Sequence, residues 1–252
     1  SATTGSGGIV AADNTSTADI KLDKNQVLKV RMYDEPTGFD PANLFRIEAE
    51  NVAFNVYSGL TTFDPKTGAP LPDLAKSWDI SADGKVYTFH LVDNAEFHQG
   101  FGKMTSADVK YSYERIMLPA TKSPYAIEYS NVARVEAPDP LTAVITLKNP
   151  DTNFLYQVGN YHQGQIVKKE AIEKYGADYK RNPVGTGPFA LSKWTPNSQM
   201  LLEAHPGYFK GRPVLERVEL NLIKDIAATE TALNNGEVAL AMNIGGTQEV
   251  RN

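Results

Sequence analysis

Asn182-Pro183-Val184-Gly185-Thr186-Gly187-Pro188-Phe189 changes the rhythm of this chain. The two glycines can take backbone angles closed to other residues, and Pro188 sets the exit into a strand. The stretch reads as a structural turn with a helix before it and strands after it. On its N-terminal side, periodicity predicts a helix over Lys168–Tyr175, stopped by Gly176. On its C-terminal side it predicts strands near Phe189–Trp194, Met200–His205 and Val218–Ile223. A helix near Asp225–Asn234 follows and closes at Asn235-Gly236, before a last alternating strand over Val238–Ile244.

Further out, the same reading extends to the N-terminus. Leu28, Val30 and Met32 alternate with Lys29, Arg31 and Tyr33, which predicts a strand over Val27–Tyr33. The cluster Asp34-Glu35-Pro36-Thr37-Gly38 ends it. Beyond Pro41, the positions Ala49, Ala53, Val56, Tyr57 and Leu60 mark one face of a helix. Alternation returns in Val86–Val92 and Thr142–Lys148. Between these strands, Thr105-Ser106-Ala107-Asp108 has the form of a capping box opening a helix that runs through Ile116 and ends before Pro119. Trp78 and Tyr87 are expected in a core. Residues 1–25 are small and polar without periodicity, and read as a flexible arm. Strands and helices mix without a strict βαβ alternation, so the fold class is α/β with irregular sheets.

Composition narrows the function. The chain has 252 residues, 41% hydrophobic and 22% charged, with no cysteine and a net charge of −5. That is enough material for a substantial core, and the acidic balance without a basic run argues against nucleic acid as a partner. No apolar stretch reaches the roughly 20 residues needed to span a bilayer. His90, His98, His162 and His205 show no ligand spacing, so no metal site is expected. There is no nucleophile elbow, phosphate loop or cysteine nucleophile, and no cofactor is expected.

Three stretches, in order, carry a resemblance. They are Gly38-Phe39-Asp40-Pro41 with Tyr57-Ser58-Gly59-Leu60; Leu74-Ala75-Lys76-Ser77-Trp78 through Glu96-Phe97-His98 to Tyr111-Ser112-Tyr113-Glu114-Arg115-Ile116; and Pro183–Phe189 with Asn197-Ser198, Gly207-Tyr208-Phe209 and Gly236-Glu237-Val238. Together they resemble the peptide-, opine- and nickel-binding solute receptors of ABC importers, from about residue 27 to 244. The loop Gln99-Gly100-Phe101-Gly102-Lys103 departs from that pattern.

The resemblance implies a type II periplasmic-binding-protein lobe, lobe one with an inserted subdomain, and a second lobe absent from this chain. It divides the chain into an arm (1–26), a discontinuous subdomain (27–53 and 182–252) and an inserted one (54–181). It implies a receptor and not an enzyme, which captures a peptide or peptide-like solute in a cleft and delivers it to a membrane ABC permease. The whole protein is expected to be periplasmic or extracellular and monomeric, and the Ser/Thr/Gly lead is compatible with a membrane tether. An isolated lobe is expected to bind its solute weakly and to expose an apolar face. A carbohydrate-active enzyme or an oligosaccharide-binding protein is the alternative.

By the same resemblance, Phe45, Arg46 and Ile47 lie at the cleft, with Tyr125 of Ser123-Pro124-Tyr125-Ala126 and the segment Tyr161-His162-Gln163. An arginine there could pair with a ligand carboxylate in a fork, and a tyrosine held after Pro124 offers a rigid apolar face with a polar tip.

Overall fold

The structure is a computed structural model and describes residues 25–160 and 162–241. In chain order its elements begin with β1 (Val27–Met32), α1 (Ile47–Val56), β2 (Thr61–Phe63), β3 (Pro70–Pro72), β4 (Ala75–Ile80) and β5 (Val86–Leu91). Next come β6 (Glu96–Phe97), β7 (Gly102–Lys103), α2 (Ser106–Met117), β8 (Val132–Asp139), β9 (Thr142–Leu147), α3 (Phe154–Gln157) and α4 (Lys169–Tyr175). The last are β10 (Phe189–Thr195), β11 (Gln199–Ala204), β12 (Arg217–Leu222), α5 (Ile226–Asn234) and β13 (Leu240–Ala241).

Two larger sheets organise these elements. One is antiparallel, in the order β4-β5-β9-β8. Tyr87, Phe89 and Leu91 of β5, and Ala143, Ile145 and Leu147 of β9, point to its buried face. Helix α2 covers that face with Val109, Tyr113 and Ile116, whose spacing of four and three makes one helical stripe. Full burial of each such side chain contributes roughly 1.5–3 kcal/mol. The capping box forms as the sequence predicts: the Thr105 N–H donates to Asp108 Oδ2 at 2.8 Å, and the Thr105 side chain accepts from the Asp108 amide. Trp78 is only half-buried, because β4 is an edge strand whose outer face is open; Tyr87 is buried as expected.

The other sheet has the order β10-β11-β12-β1-β13. Strand β1 runs parallel to β12 from Val27↔Arg217 to Met32↔Leu222, and parallel to β13 at Val30↔Leu240. The first strand therefore pairs with residues about 190 positions later. Its Leu28, Val30 and Met32 face the same side as Val218, Leu220 and Leu222, and α1 packs on that side through Val52.

The junction between the two sheets is tightly made. Arg115 of α2 donates twice to the Asp40 carboxylate, at 2.8 and 2.5 Å, with both side chains about 15% exposed. Tyr57 donates to Phe39 O at 2.9 Å. The loop around Gly185 and Gly187 lies against the C-terminal end of α1. A Cβ on Gly185 would come within 2.1 Å of Val56 O, and one on Gly187 within 2.5 Å of Asn55 O. The Gly187 N–H then reaches Val56 O at 2.9 Å and satisfies a carbonyl left open at the helix end. The glycines are needed for close approach, so the turn is structural.

Several boundaries differ from the sequence reading. Helix α1 stops at Val56, although Tyr57 and Leu60 continue its apolar stripe and are buried. The chain becomes extended at Tyr57, because Gly59 must pass within 2.7 Å of Val158 O measured from where a Cβ would stand. Strand β1 ends at Met32, not Tyr33, and β8 is an element that periodicity did not single out. Residues 1–24 of the arm and the residues after Ala241 lie outside the described residues.

Candidate functional site

Parallel strands β12, β1 and β13 end on the same side, and the helices that follow two of them start there: α1 at Ile47 and α5 at Ile226. In open α/β sheets the crevice beyond the carboxyl ends of the strands is where ligands lie.

Asp34, just past β1, is the hub of one charged cluster. Its Oδ2 is 2.7 Å from Arg46 Nη1 and its Oδ1 is 3.3 Å from Lys224 Nζ, at the ends of the loops leading to α1 and α5. Its carboxyl is held below the usual carboxylate range, first by the Glu35 N–H that it accepts and then by Lys224 and Arg46. The cluster carries two cations to one anion. Arg46 occupies the N-cap position of α1 at φ 91° and ψ 140° with no side-chain cap. A non-glycine residue in this region is strained, and such strain persists where surrounding contacts enforce it. Phe45 and Ile47 flank it and are 69% and 51% exposed, so two large apolar side chains stand open beside the guanidinium.

A second set of contacts joins this edge to the inserted region. The Tyr125 hydroxyl donates to the Leu44 carbonyl, and Ser123 Oγ donates to Ala42 O at 2.6 Å. The Tyr125 ring stacks on His162, with centroids 4.7 Å apart and planes 11° from parallel. His162 Nε2 in turn lies 2.8 Å from Glu50 Oε1, in the first turn of α1. Thus Tyr125 and His162 pack on each other and reach the chain on either side of residues 45–47, at Leu44 and at Glu50. Gln163 is buried at 1% exposure; its side-chain amide donates to Glu128 and its main-chain carbonyl accepts from Tyr129 Oη at 2.8 Å. Tyr161 lies outside the described residues.

Sequence reasoning missed Asp34, Glu50 and Lys224. Asp34 and Lys224 each follow a strand and precede a helix, a position that marks the carboxyl edge once the strands are known to be parallel. Among the described residues no group of three or more His, Cys, Asp or Glu could hold a metal ion. Nor is any helix among them long and apolar enough to cross a membrane.

The family model for bacterial extracellular solute-binding proteins, family 5 Middle, matches residues 69–251. The chain belongs to this family. Similar curated proteins include the di/tripeptide-binding protein 2 of Pseudomonas aeruginosa, 28% identical over 82% of this chain and 43% of the relative. The probable D,D-dipeptide-binding periplasmic protein DdpA of Escherichia coli is 30% identical over 92% of this chain and 46% of its own length. Among solved structures, the binding protein MoaA of A. tumefacien R10, in complex with mannopinic acid, matches with a TM-score of 0.81 and 30% identity. That match covers 84% of this chain and 44% of the other. The family-5 chain described here thus spans less than half the length of the relatives it matches, and its α/β architecture is that of a type II periplasmic-binding-protein lobe.

Proposed function

We propose that this chain forms one wall of a solute-binding cleft in an ABC importer's receptor, which captures a peptide or peptide-like solute and passes it to a membrane permease. The observation that carries this reading is the Asp34–Arg46–Lys224 cluster at the carboxyl edge of the parallel strands, with Tyr125 and His162 held against Leu44 and Glu50 on either side of Phe45–Ile47. Exposed Phe45 and Ile47 supply apolar contact, and Arg46 with Lys224 supplies positive charge in excess of Asp34. A ligand carboxylate placed there exchanges Asp34 for itself on the guanidinium fork. On the other side, Glu50 and the polar tips of His162 and Tyr125 suit a ligand's amide and ammonium groups.

The reading extends to a receptor that leaves its ligand chemically unchanged and works outside the cytoplasm, in line with relatives named as peptide-binding and periplasmic. The three relatives are named as binding proteins, and none as a carbohydrate-active enzyme. We also propose the division into residues 27–53 with 182–252, and 54–181. It is supported by the pairing of β1 with β12 and β13 in one sheet, and by the separate sheet β4-β5-β9-β8. Calorimetric titration with dipeptides and with mannopinic acid tests the function. Binding should be saturable and should weaken at least tenfold in Arg46→Ala. Equal affinity in wild type and Arg46→Ala, or chemical conversion of the bound solute, would overturn the reading.

A further inference from the structure

A polar cavity of about 120 Å³ opens beyond the other end of α1, lined by Tyr57, Thr61, Asp73, Gln165, Tyr208 and Lys210 among others. Helix α1 has ten residues, about 15 Å at 1.5 Å per residue, which separates this cavity from the surface around Arg46. Its volume is well above the ~10–15 Å³ that a single water requires.

The polar groups in its wall are unevenly served. Gln165 is 3% exposed, and its Oε1 is buried without a hydrogen-bond partner. An acceptor left in this state is costly, and a native cavity tends to supply it a donor. Asp73 presents a nearly buried carboxylate, which accepts the Gly59 N–H and an ion pair from Lys210 Nζ at 2.6 Å. Burial pushes its carboxyl above the ordinary value, ahead of the opposing pull of Lys210. The Tyr208 hydroxyl is pushed up to about 12 by burial and by Asp73, so it stays protonated. The Lys210 side chain, 40% exposed, lines the cavity and reaches Asp73 from the solvent side. The unmet acceptor in the wall is Gln165 Oε1, and it shares the cavity with a carboxylate whose ion-pair partner, Lys210, comes from a half-exposed side chain.

We propose that this cavity is a second binding site, for a small molecule bearing a primary ammonium group that donates to Gln165 Oε1 and to the Asp73 carboxylate. The ligand takes the place of the Lys210 ammonium on Asp73, and the half-exposed lysine turns to solvent. Its cavity joins Gly59 and Thr61 of one region to Pro188 and Tyr208 of the other, so occupancy ties the two sheets together.

Methylammonium chloride is the probe, titrated at constant ionic strength while the thermal unfolding midpoint is followed. Tetramethylammonium chloride, with the same charge and no N–H donor, is the control. The expected result is a saturable rise with methylammonium that tetramethylammonium does not produce. Gln165→Leu should weaken the methylammonium response at least tenfold. No saturable response in the wild type, the same response to both salts, or an unaltered titration in Gln165→Leu would each overturn the site. If Gln165→Leu fails to fold, the surface variant Lys210→Ala decides. It leaves the Asp73 carboxylate without its ammonium partner, so methylammonium should bind about tenfold more tightly and restore lost stability. Unchanged affinity in Lys210→Ala overturns the proposal.

Discussion

His98 should make the stability of this protein fall steeply below neutral pH. The side chain is buried where the turn after β6 meets the Gly185–Gly187 loop. Its Nε2 is 2.9 Å from Gly187 O, and its Nδ1 lies 3.4 Å from the Gly185 nitrogen, whose N–H it accepts. This network fits a neutral ring protonated at Nε2 only. The His205 ring stands edge-on at 4.8 Å, with its Nδ1 3.3 Å from the same Gly187 carbonyl. A second proton on His98 would displace the Gly185 N–H and bury a charge beside another imidazole. Burial is the main reason that the His98 pKa is pushed down from 6.5 to about 4.

The unfolded chain therefore binds the proton more readily than the folded one between these values, and stability is lost as pH falls through that window. Each tenfold difference in proton affinity between the two states is worth ~1.4 kcal/mol, so the full loss approaches ~3.4 kcal/mol in acid, with ~2 kcal/mol of it between pH 7 and pH 5. Urea unfolding at pH 7, 6 and 5, followed by circular dichroism, measures this in the wild type and in His98→Gln. Glutamine keeps an N–H donor for Gly187 O and cannot titrate. The wild type should lose ~2 kcal/mol more than the variant across that range. Equal losses in the two proteins would refute the reasoning, whatever the absolute stabilities.

Other consequences follow from single contacts. Arg46→Gly removes a side chain from φ 91° and should raise stability by about 1 kcal/mol while weakening solute binding; thermal melts and calorimetry on the same samples read both, and a destabilised variant would show that Arg46 is not strained. Gly187→Ala places a methyl 2.5 Å from Asn55 O and should cost roughly 1–3 kcal/mol in urea unfolding, whereas Gly207→Ala, whose methyl would meet only the His205 ring at an ordinary 3.4 Å, should cost less. Asp40→Asn breaks the two-bond pairing with Arg115 and leaves a mostly buried guanidinium, so a loss of about 3 kcal/mol is expected, and a loss under 1 kcal/mol would mean that solvent reaches the pair.

How much of this could be read in advance depends on the range over which each signal acts. The capping box at Thr105, the alternation in β5 and β9, and the glycine stop of α4 are local, and each stands where periodicity placed it. The end of α1 was misread because burial continues past the helix: Tyr57 and Leu60 are core residues held by the neighbouring loop, not by helical repeat. An apolar stripe reports the buried face, and only backbone contacts such as the approach of Gly59 to Val158 report where the helix must stop.

The candidate site shows the same limit more sharply. Phe45, Arg46, Ile47, Tyr125 and His162 were named by resemblance, and no periodicity or spacing within the chain links them. Contact joins two of them, Tyr125 and His162, and brings this pair to the neighbours of the other three: Tyr125 meets Leu44 across 81 residues, and His162 meets Glu50 across 112. Asp34 and Lys224 stayed hidden for a related reason. Read locally, one belongs to a turn and the other precedes a helix cap, and both are ordinary solvated charges. They become a site only because β1 and β12 run parallel in register from Val27↔Arg217, which brings both strand ends, both following helices and three charges to one edge. Parallel pairing is thus the step that gathers scattered charged residues at one edge of the sheet. A one-residue change in that register would move the Asp34–Lys224 pairing by about 3.3 Å along the strand, enough to break a 3.3 Å ion pair while leaving Arg46 on Asp34.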